Sequence, residues 1–265
     1  MELKDVILAR KLGGSGGGAI TDGIVITEMG TFGTGIGARI SATKVDYYGT
    51  YMPFYTFGAG RGDNSFGWQD LTEINFKSNE VYLSWGNFMY CKSIKEISTP
   101  VIKGRDPRFI WNFNANQQET SIFRNMTSLE TLSLPEFVGF LNHYDIASCI
   151  KLKNVYLPKV TKACSYGDTG IRGSFSGDTA LENVQLGSVG YAVDALEANT
   201  FIDCTSAFAL TMYTKGTYAD TLLAKARNSA TNATIIIKAS EDTTYNGTSY
   251  AAGDTMITST VEAST

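Results

Sequence analysis

The stretch SCIKLKNVYLP, residues 148–158, contains the pattern that decides the fold. Counted from Cys149 as position zero, apolar residues stand at +3, +6 and +8, and Pro158 follows at +9. Residues at +6 and +8 share one face of a strand because successive side chains point to opposite sides. Proline at +9 ends the strand, since it cannot donate a hydrogen bond to the ladder. The stretch therefore predicts a short strand with one buried face.

The same pattern recurs along the chain and predicts a solenoid. Six copies have their zero positions at Trp68, Cys91, Met126, Cys149, Asp178 and Cys204, and a fainter copy starts at Arg39 with Ala42, Val45 and Tyr47. Five of the six copies carry a large apolar residue at −3, namely Phe88, Phe123, Ile146, Phe175 and Phe201, whereas the Trp68 copy has Ser65 there. Two of the intervals are 23 residues long and the others are longer. Since one copy cannot bury its own apolar face, successive coils of about 23 residues, some with insertions, are expected to stack into a β-rich repeat solenoid.

This pattern resembles the BspA-like leucine-rich repeats, a bacterial variant built on C-x-x-L-x-x-[LIV]-x-L-P with an aromatic residue upstream. The resemblance covers residues 63–214 and departs from the family pattern where Trp68, Met126 and Asp178 replace the cysteine. It continues into KGTYADTLLAKARNSATNATIIIKAS, which looks like the helix-and-strand cap at the end of such arrays. The apolar face of the predicted helix consists of Tyr218, Leu222, Leu223 and Ala226.

The chain divides into five predicted segments. Residues 1–18 form an attachment segment and glycine joint, residues 19–62 a glycine-rich β region or N-terminal cap, and residues 63–214 the repeat array. Residues 215–240 form the C-terminal cap, and residues 241–265 a tail. The Asn-Gly pair in the tail predicts a β-hairpin.

Charge and cysteine usage exclude several classes of function. The 22 basic residues against 26 acidic residues give a net charge of −4, which argues against a nucleic-acid partner. The four cysteines include no C-x-x-C pair, so we expect buried free thiols. The single histidine, His143, excludes a multi-histidine metal site and is expected at the surface.

The N-terminus lacks the features of a signal peptide. Its apolar stretch from Val6 to Ala9 is shorter than the 7–15 residues that a secretory signal needs, or the roughly 20 of a membrane span. We therefore expect cytoplasmic synthesis without a signal peptide and no membrane insertion.

Catalytic motifs are also missing from the sequence. Gly33, Gly35 and Gly37 are spaced like part of a phosphate loop, but the β-type sequence after them does not fit the helix that such a loop opens. We predict no catalytic residues, no metal site and no cofactor, and a non-enzymatic function.

The candidate site is instead a polar strip on the sheet. Residues at +5 and +7 flank the inward positions and must face outward. They comprise Glu73, Asn75, Glu96, Ser98, Thr131, Ser133, Asn154, Tyr156, Asn183 and Gln185, with Ala209 and Thr211 in the last copy. This strip is either a ligand-binding face or an ordinary solvated surface.

Two aromatic clusters offer further contacts. Phe109, Trp111 and Phe113, within the longest interval, are candidates for contact with a sugar or a protein. A second cluster comprises Tyr47, Tyr48, Tyr51, Phe54, Tyr55 and Phe57. It could be exposed in the same way or buried as a cap over the first coil.

The opening stretch MELKDVILARKLGGSGGG resembles the first residues of tail and appendage proteins of phages and prophages. That resemblance implies attachment to a virion, with self-association through residues 1–62. The predicted function is adhesion: a virion-associated or extracellular component that recognises a protein or glycan on a bacterial cell surface. The alternatives are a structural subunit of a virion or surface assembly and a bacterial surface adhesin. A glycan-active enzyme is the least favoured.

Overall fold

The computed structural model describes residues 24–29, 42–53, 56–58, 68–107, 121–163, 173–187, 196–197 and 199–262. Twelve strands precede the one α-helix in these ranges: β1 (Ile24–Met29), β2 (Ala42–Tyr47), β3 (Glu73–Phe76), β4 (Val81–Leu83), β5 (Glu96–Ser98), β6 (Ile102–Arg105), β7 (Thr131–Ser133), β8 (Gly139–Leu141), β9 (Asn154–Leu157), β10 (Val160–Ala163), β11 (Asn183–Leu186) and β12 (Phe208–Thr214). The remaining elements are helix α1 (Ala219–Ser229), β13 (Ala233–Ala239), β14 (Thr243–Tyr245), β15 (Thr248–Tyr250) and β16 (Thr255–Val261).

The predicted solenoid is confirmed, and each of the five copies from Cys91 onward contributes one strand to the main sheet. Strands β5, β7, β9, β11 and β12 are parallel neighbours in that order. Their +6 residues lie side by side, from Ile97 through Leu132, Val155, Val184 and Leu210. The register is set by burial, because a slip of one residue would turn the apolar side chains to solvent.

The core is built from the repeated positions. The +3 residues of the first five copies are buried, and so are the five zero residues from Cys91 onward and the five −3 residues from Phe88 onward. In the first copy, Trp68 is half-buried and Ser65 lies outside the described residues. The −3 rings stack between coils: Phe88 on Phe123 at 5.4 Å and Phe175 on Phe201 at 4.8 Å between centroids. The last copy departs at +3, where Ala207 is exposed.

A second row of strands holds the coils together on another side of the solenoid. Strand β4 pairs with β6 and β8 with β10, all in parallel. Single bridges extend this row, from Tyr51 to Tyr82, from Gly104 to Val138 and from Ala163 to Leu196. From the coil of Tyr51 to the coil of Leu196, successive coils are therefore joined on this side of the solenoid.

The fainter copy is confirmed from Ala42 onward. Strand β2 pairs in parallel with β3 and places Val45 beside Ile74 and Tyr47 beside Phe76. Ala42, Val45 and Tyr47 are buried as the repeat requires. Strand β1 covers the outer edge of β2 in antiparallel orientation, and Arg39 lies outside the described residues.

The C-terminal cap extends the main sheet. Strand β13 pairs in parallel with β12, as the predicted helix-and-strand cap requires. Helix α1 buries Leu222 and Ala226, but the assignment of Tyr218 to its apolar face is wrong. Tyr218 precedes the helix and is 43% exposed, because the chain forms a 3-10 turn at Gly216–Tyr218 before the first helical residue.

The tail contains the predicted hairpin and one more strand. Strands β14 and β15 meet at Asn246 and Gly247, both with positive φ as a tight hairpin turn requires. Strand β16 then pairs antiparallel with β13 and completes a seven-stranded sheet. Strand β16 was not predicted from the sequence.

The prediction that His143 lies at the surface is wrong, since its exposed fraction is only 9%. The turn around it packs inward, because the buried Asp145 carboxylate accepts hydrogen bonds from the backbone N–H groups of Asn142 and Ile122 and pairs with Arg105. No helix in the described part of the chain has the length and hydropathy needed to cross a bilayer.

Candidate binding face

The predicted polar strip lies on the outer surface of the sheet, in two aligned rows. Ladder pairing places the +5 residues of successive copies side by side: Glu96, Thr131, Asn154 and Asn183. The same ladders align the +7 residues Ser98, Ser133, Tyr156 and Gln185. Together with Glu73 and Asn75 on β3, all ten are exposed or half-buried. The geometry of the strip follows the prediction, and a binding role remains a prediction.

Hydrogen bonds order the C-terminal half of the strip. Asn183 Nδ2 donates to Asn154 Oδ1 at 3.0 Å, and Gln185 Nε2 donates to the hydroxyl of Tyr213 at 3.0 Å. Tyr156 stands beside them with 41% of its surface exposed. An exposed aromatic ring next to fixed amides is a suitable arrangement for contact with a partner.

Tyr213 belongs to this strip and was missed by the sequence analysis. It lies at +9 of the last copy, where three other copies carry proline. Without proline, β12 continues to Thr214, and Tyr213 extends the outward face. Partial burial, and then the neighbouring Tyr156, raise the pKa of its hydroxyl, so the group stays protonated at neutral pH. The missing proline is the signal that could have identified it.

The cap also lengthens the strip. Thr234, Ile236 and Lys238 on β13 are half-buried and align with Ala209, Thr211 and Tyr213 on β12. Two surface ion pairs flank it: Lys153 with Glu182 at 3.0 Å and Lys44 with Glu73 at 3.7 Å. The hydrogen bond that the Lys153 ammonium donates to the Glu182 carboxylate raises the pKa of Lys153. Such exposed pairs contribute little to stability.

A gap interrupts the strip between β3 and β5. These strands come from adjacent copies, but no ladder joins them, and β3 belongs to a separate three-stranded sheet. A groove of about 740 Å³ lies between them, lined by residues 72–77 and 93–99. We call this groove the β3–β5 slot.

The two aromatic clusters differ in how much of each the structure describes. Phe109, Trp111 and Phe113 lie outside the described residues, as do Phe54 and Tyr55. Within the second cluster, Tyr47 and Phe57 are fully buried, whereas Tyr48 is 54% exposed. Tyr51 stacks on Tyr82 at 5.4 Å. Burial as a cap therefore applies to two of the four residues of this cluster that the structure describes.

Phe57 supplies the −3 ring that the Trp68 copy lacks in sequence. Its ring stacks on Phe88 at 5.9 Å, in line with Phe123, and its carbonyl oxygen accepts the N–H of Trp68 at 2.8 Å. Cys91 N–H bonds in the same way to Phe88. The segment between Phe57 and Trp68 is longer than in other copies, which hid this residue from a search at fixed spacing.

The cysteine thiols that the structure describes lie in the core, away from the surface. Cys91, Cys149 and Cys204 are free and buried, as predicted, and Cys164 lies outside the described residues. Burial raises the pKa of each of these three thiols. No cluster of three or more histidine, cysteine or acidic side chains suited to a metal ion occurs in the described ranges. What the face offers is hydrogen bonding through amides, hydroxyls, carboxylates and one exposed ring.

Comparison with known proteins supplies the family. A family model described as the BspA type leucine rich repeat region matches residues 61–104 and 109–213 in six copies. No curated protein and no solved structure matches the chain.

Proposed function

We propose that this chain, which belongs to the BspA type leucine rich repeat family, is a non-catalytic binding protein that recognises its partner through the polar strip. Repeat solenoids present extended, rigid surfaces, and members of this family often serve in adhesion. The observation that best supports this proposal is the alignment of the +5 and +7 residues into two rows that continue over at least four coils.

The partner that fits this face is a protein or glycan on a bacterial cell surface. Fixed amides such as Asn154, Asn183 and Gln185 can donate and accept hydrogen bonds. The exposed ring of Tyr156 offers an apolar surface beside them. Tyrosine is enriched at interface hot spots for this combination of a ring and a hydroxyl.

The location that we propose is a phage or prophage virion, with the array facing the host. Its support is the likeness of residues 1–18 to the first residues of tail and appendage proteins. In that arrangement residues 1–62 attach the chain to the virion or to further copies of itself. A surface adhesin of a bacterium would use the same face.

The test is co-sedimentation of the labelled full-length chain with candidate host cells. We expect the double variant Asn154→Ala with Tyr156→Ala to lose about tenfold or more in cell binding, because truncating an aromatic hot spot costs about 2 kcal/mol. The control is Lys159→Ala with Thr161→Ala, two exposed residues at the second row of strands. Equal binding by both double variants would contradict the proposal.

Two further measurements identify the class of partner and test the alternative function of a structural subunit. Protease treatment of the cells removes a protein receptor, whereas periodate oxidation destroys a glycan. If the chain binds no host cells but co-sediments with purified virions through the strip, it is a structural subunit instead.

A further inference from the structure

We infer that the β3–β5 slot is a binding site for one extended peptide strand of a partner protein. This inference deepens the binding role proposed above, since the slot interrupts the polar strip. It assigns a class of ligand to a place where the sheet itself is open.

The first observation is a missing set of backbone hydrogen bonds. At the other described junctions, the +4 carbonyl oxygen accepts N–H groups of the next copy, as Lys95 accepts from Glu130 at 2.7 Å and Thr131 at 3.2 Å. The equivalent bonds from Lys95 and Glu96 to Thr72 do not exist. Among the described residues, strand β3 therefore has an open edge in the middle of the array, and β5 has another facing it.

The groups on each open edge follow from strand geometry. The C=O group of Lys95 and the N–H group of Thr99 form hydrogen bonds with residues of the β7 copy. Successive residues of a strand point their backbone N–H and C=O groups to opposite sides. The N–H and C=O groups of Glu96 and Ser98 consequently point into the slot. On the opposite side, Ile74 directs its N–H and C=O groups into it by the same alternation.

Burial gives a second, independent sign of the opening. Leu132 and Leu134, at +6 and +8 of the Met126 copy, are fully buried. Ile74 and Phe76 hold the same positions in the Trp68 copy and are only half-buried. The slot thus reaches the apolar positions of the core.

The two coils stay in contact elsewhere, so the opening is confined to the sheet. Strand β4 pairs with β6, and Val81 N–H bonds to the carbonyl of Val101 at 2.7 Å. The rings of Phe57, Phe88 and Phe123 stack continuously across the same junction. A ligand would therefore enter a preformed slot without separating the coils.

The size of the slot matches one strand. Four residues at about 3.3 Å each, with a strand spacing of about 4.8 Å and a sheet thickness of about 10 Å, occupy about 630 Å³. The slot measures about 740 Å³. Only an extended backbone offers donors and acceptors to both facing edges, which is the mode of recognition known as β-strand addition.

Charges and apolar groups define the peptide further. Glu73 and Glu96 are exposed at the same +5 position, one on each side of the slot, and Lys44 pairs with Glu73 at 3.7 Å. Glu96 is therefore the carboxylate that favours a basic outward side chain in the peptide. Two lysines also line the slot. Lys77 lies at its far end and pairs with Asp46 at 3.3 Å, and Lys95 directly precedes strand β5. Inward side chains would contact Ile74 and Ile97 and should be small and apolar.

The test uses the full chain and an acetylated, amidated peptide of sequence TVKVT, followed by NMR amide exchange. In the free protein, we expect the amides of Glu96 and Ser98 to exchange much faster than those of Thr131 and Ser133, which are paired in the ladder. Addition of TVKVT should slow the exchange of Glu96 and Ser98. Replacing its lysine by glutamate should weaken binding about fivefold, and a backbone N-methylated TVKVT should not bind.

Two protein variants separate the backbone from the charge. Glu96→Pro removes one N–H that faces the slot and should abolish peptide binding, since proline is tolerated on an open strand edge. Glu96→Gln keeps the backbone and should bind TVKVT and its glutamate analogue equally well.

Several results would overturn the inference. Slow exchange of Glu96 and Ser98 in the free protein would mean that the slot is closed. Equal binding of the N-methylated peptide, or no binding up to the solubility limit, would exclude strand addition. Protection that rises with protein concentration would assign the slot to a second copy of the chain. Cell binding without peptide binding would refute only this inference, and the reverse would refute only the proposed function.

Discussion

At the scale of single residues, the zero position explains why cysteine suits this repeat. The thiol of Cys149 donates to the carbonyl oxygen of Phe123 at 3.1 Å, and that of Cys204 donates to Phe175 at 3.0 Å. In both cases the acceptor is the −3 residue of the preceding copy. The small buried thiol therefore links one coil to the next while filling a corner of the core.

The same geometry predicts unreactive thiols. Burial raises the pKa of Cys91, Cys149 and Cys204, so the nucleophilic thiolate is scarce and inaccessible. In a Cys164→Ser variant, we expect no reaction with Ellman's reagent in native buffer and reaction of all three thiols in guanidinium. Rapid reaction of any thiol in the native protein would show that its coil opens locally.

Asp178 is the residue that least fits its position. It is fully buried where the other five copies carry cysteine, methionine or tryptophan. Its Oδ1 accepts the N–H of Cys149 at 2.7 Å, and its Oδ2 has no hydrogen-bond partner within the described residues. Burial raises the pKa of this carboxyl well above its ordinary value.

This shift predicts a dependence of stability on pH. Because the folded pKa lies above the unfolded one, the unfolded state binds fewer protons, and stability falls as pH rises from the unfolded pKa toward the folded one. Asp178→Asn keeps the acceptor for Cys149 and cannot ionise, so it should remove this fall and raise stability at neutral pH. Urea unfolding of both proteins at about pH 5 and about pH 8 measures the effect.

The matched control is Asp203→Asn, which changes an exposed carboxylate in the adjacent turn. It should leave the pH dependence as it is in the parent protein. An unchanged slope in Asp178→Asn would show that Asp178 does not cause it.

At the scale of elements, helix α1 and strands β13 and β16 close the end of the core. Leu222 is 2% exposed, whereas its neighbour Leu223 is half-buried. Leu222→Ala should lower the free energy of unfolding by about 2–5 kcal/mol, because it removes a buried side chain and leaves a cavity. Leu223→Ala should cost clearly less in the same urea titration. Equal losses would mean that α1 does not cap the array as described.

The elements also show how far the sequence predicts this fold. The main-sheet strands β5, β7, β9, β11 and β12 follow from local spacing, because every one repeats the same apolar pattern and ends near a proline where one is present. Phe57 was missed because a longer segment separates it from Trp68. Strand β16 was missed because its sequence, TMITSTV, has only weak alternation, and its pairing with β13 depends on a distant hairpin.

The candidate site, like the fold, was only partly predictable from the sequence. The outward +5 and +7 residues are fixed by the period of a strand, so the sequence places all ten. The β3–β5 slot could not be predicted, since Leu71, Ile74 and Phe76 repeat the usual pattern. The opening results from hydrogen bonds that adjacent backbones do not make, and no residue type reports that.

Over the whole molecule, the inward and the outward residues of the array have different roles. Inward positions from Val45 to Ile237 form one continuous apolar core, which gives rigidity. Outward positions are free of that constraint and can vary with the partner. The polar strip and the slot both lie on the outward side, and we propose that the partner binds this face.

Carboxyl footprinting measures whether the partner covers this face. The full-length chain is labelled with a carbodiimide and an amine, free and bound to host cells, and modified sites are read by mass spectrometry. We predict that Glu96 and Glu182 on the sheet side lose labelling on binding, while Glu241 and Asp242 in the tail are labelled equally in both states. Unchanged labelling of Glu96 and Glu182, or protection confined to Glu241 and Asp242, would contradict the account.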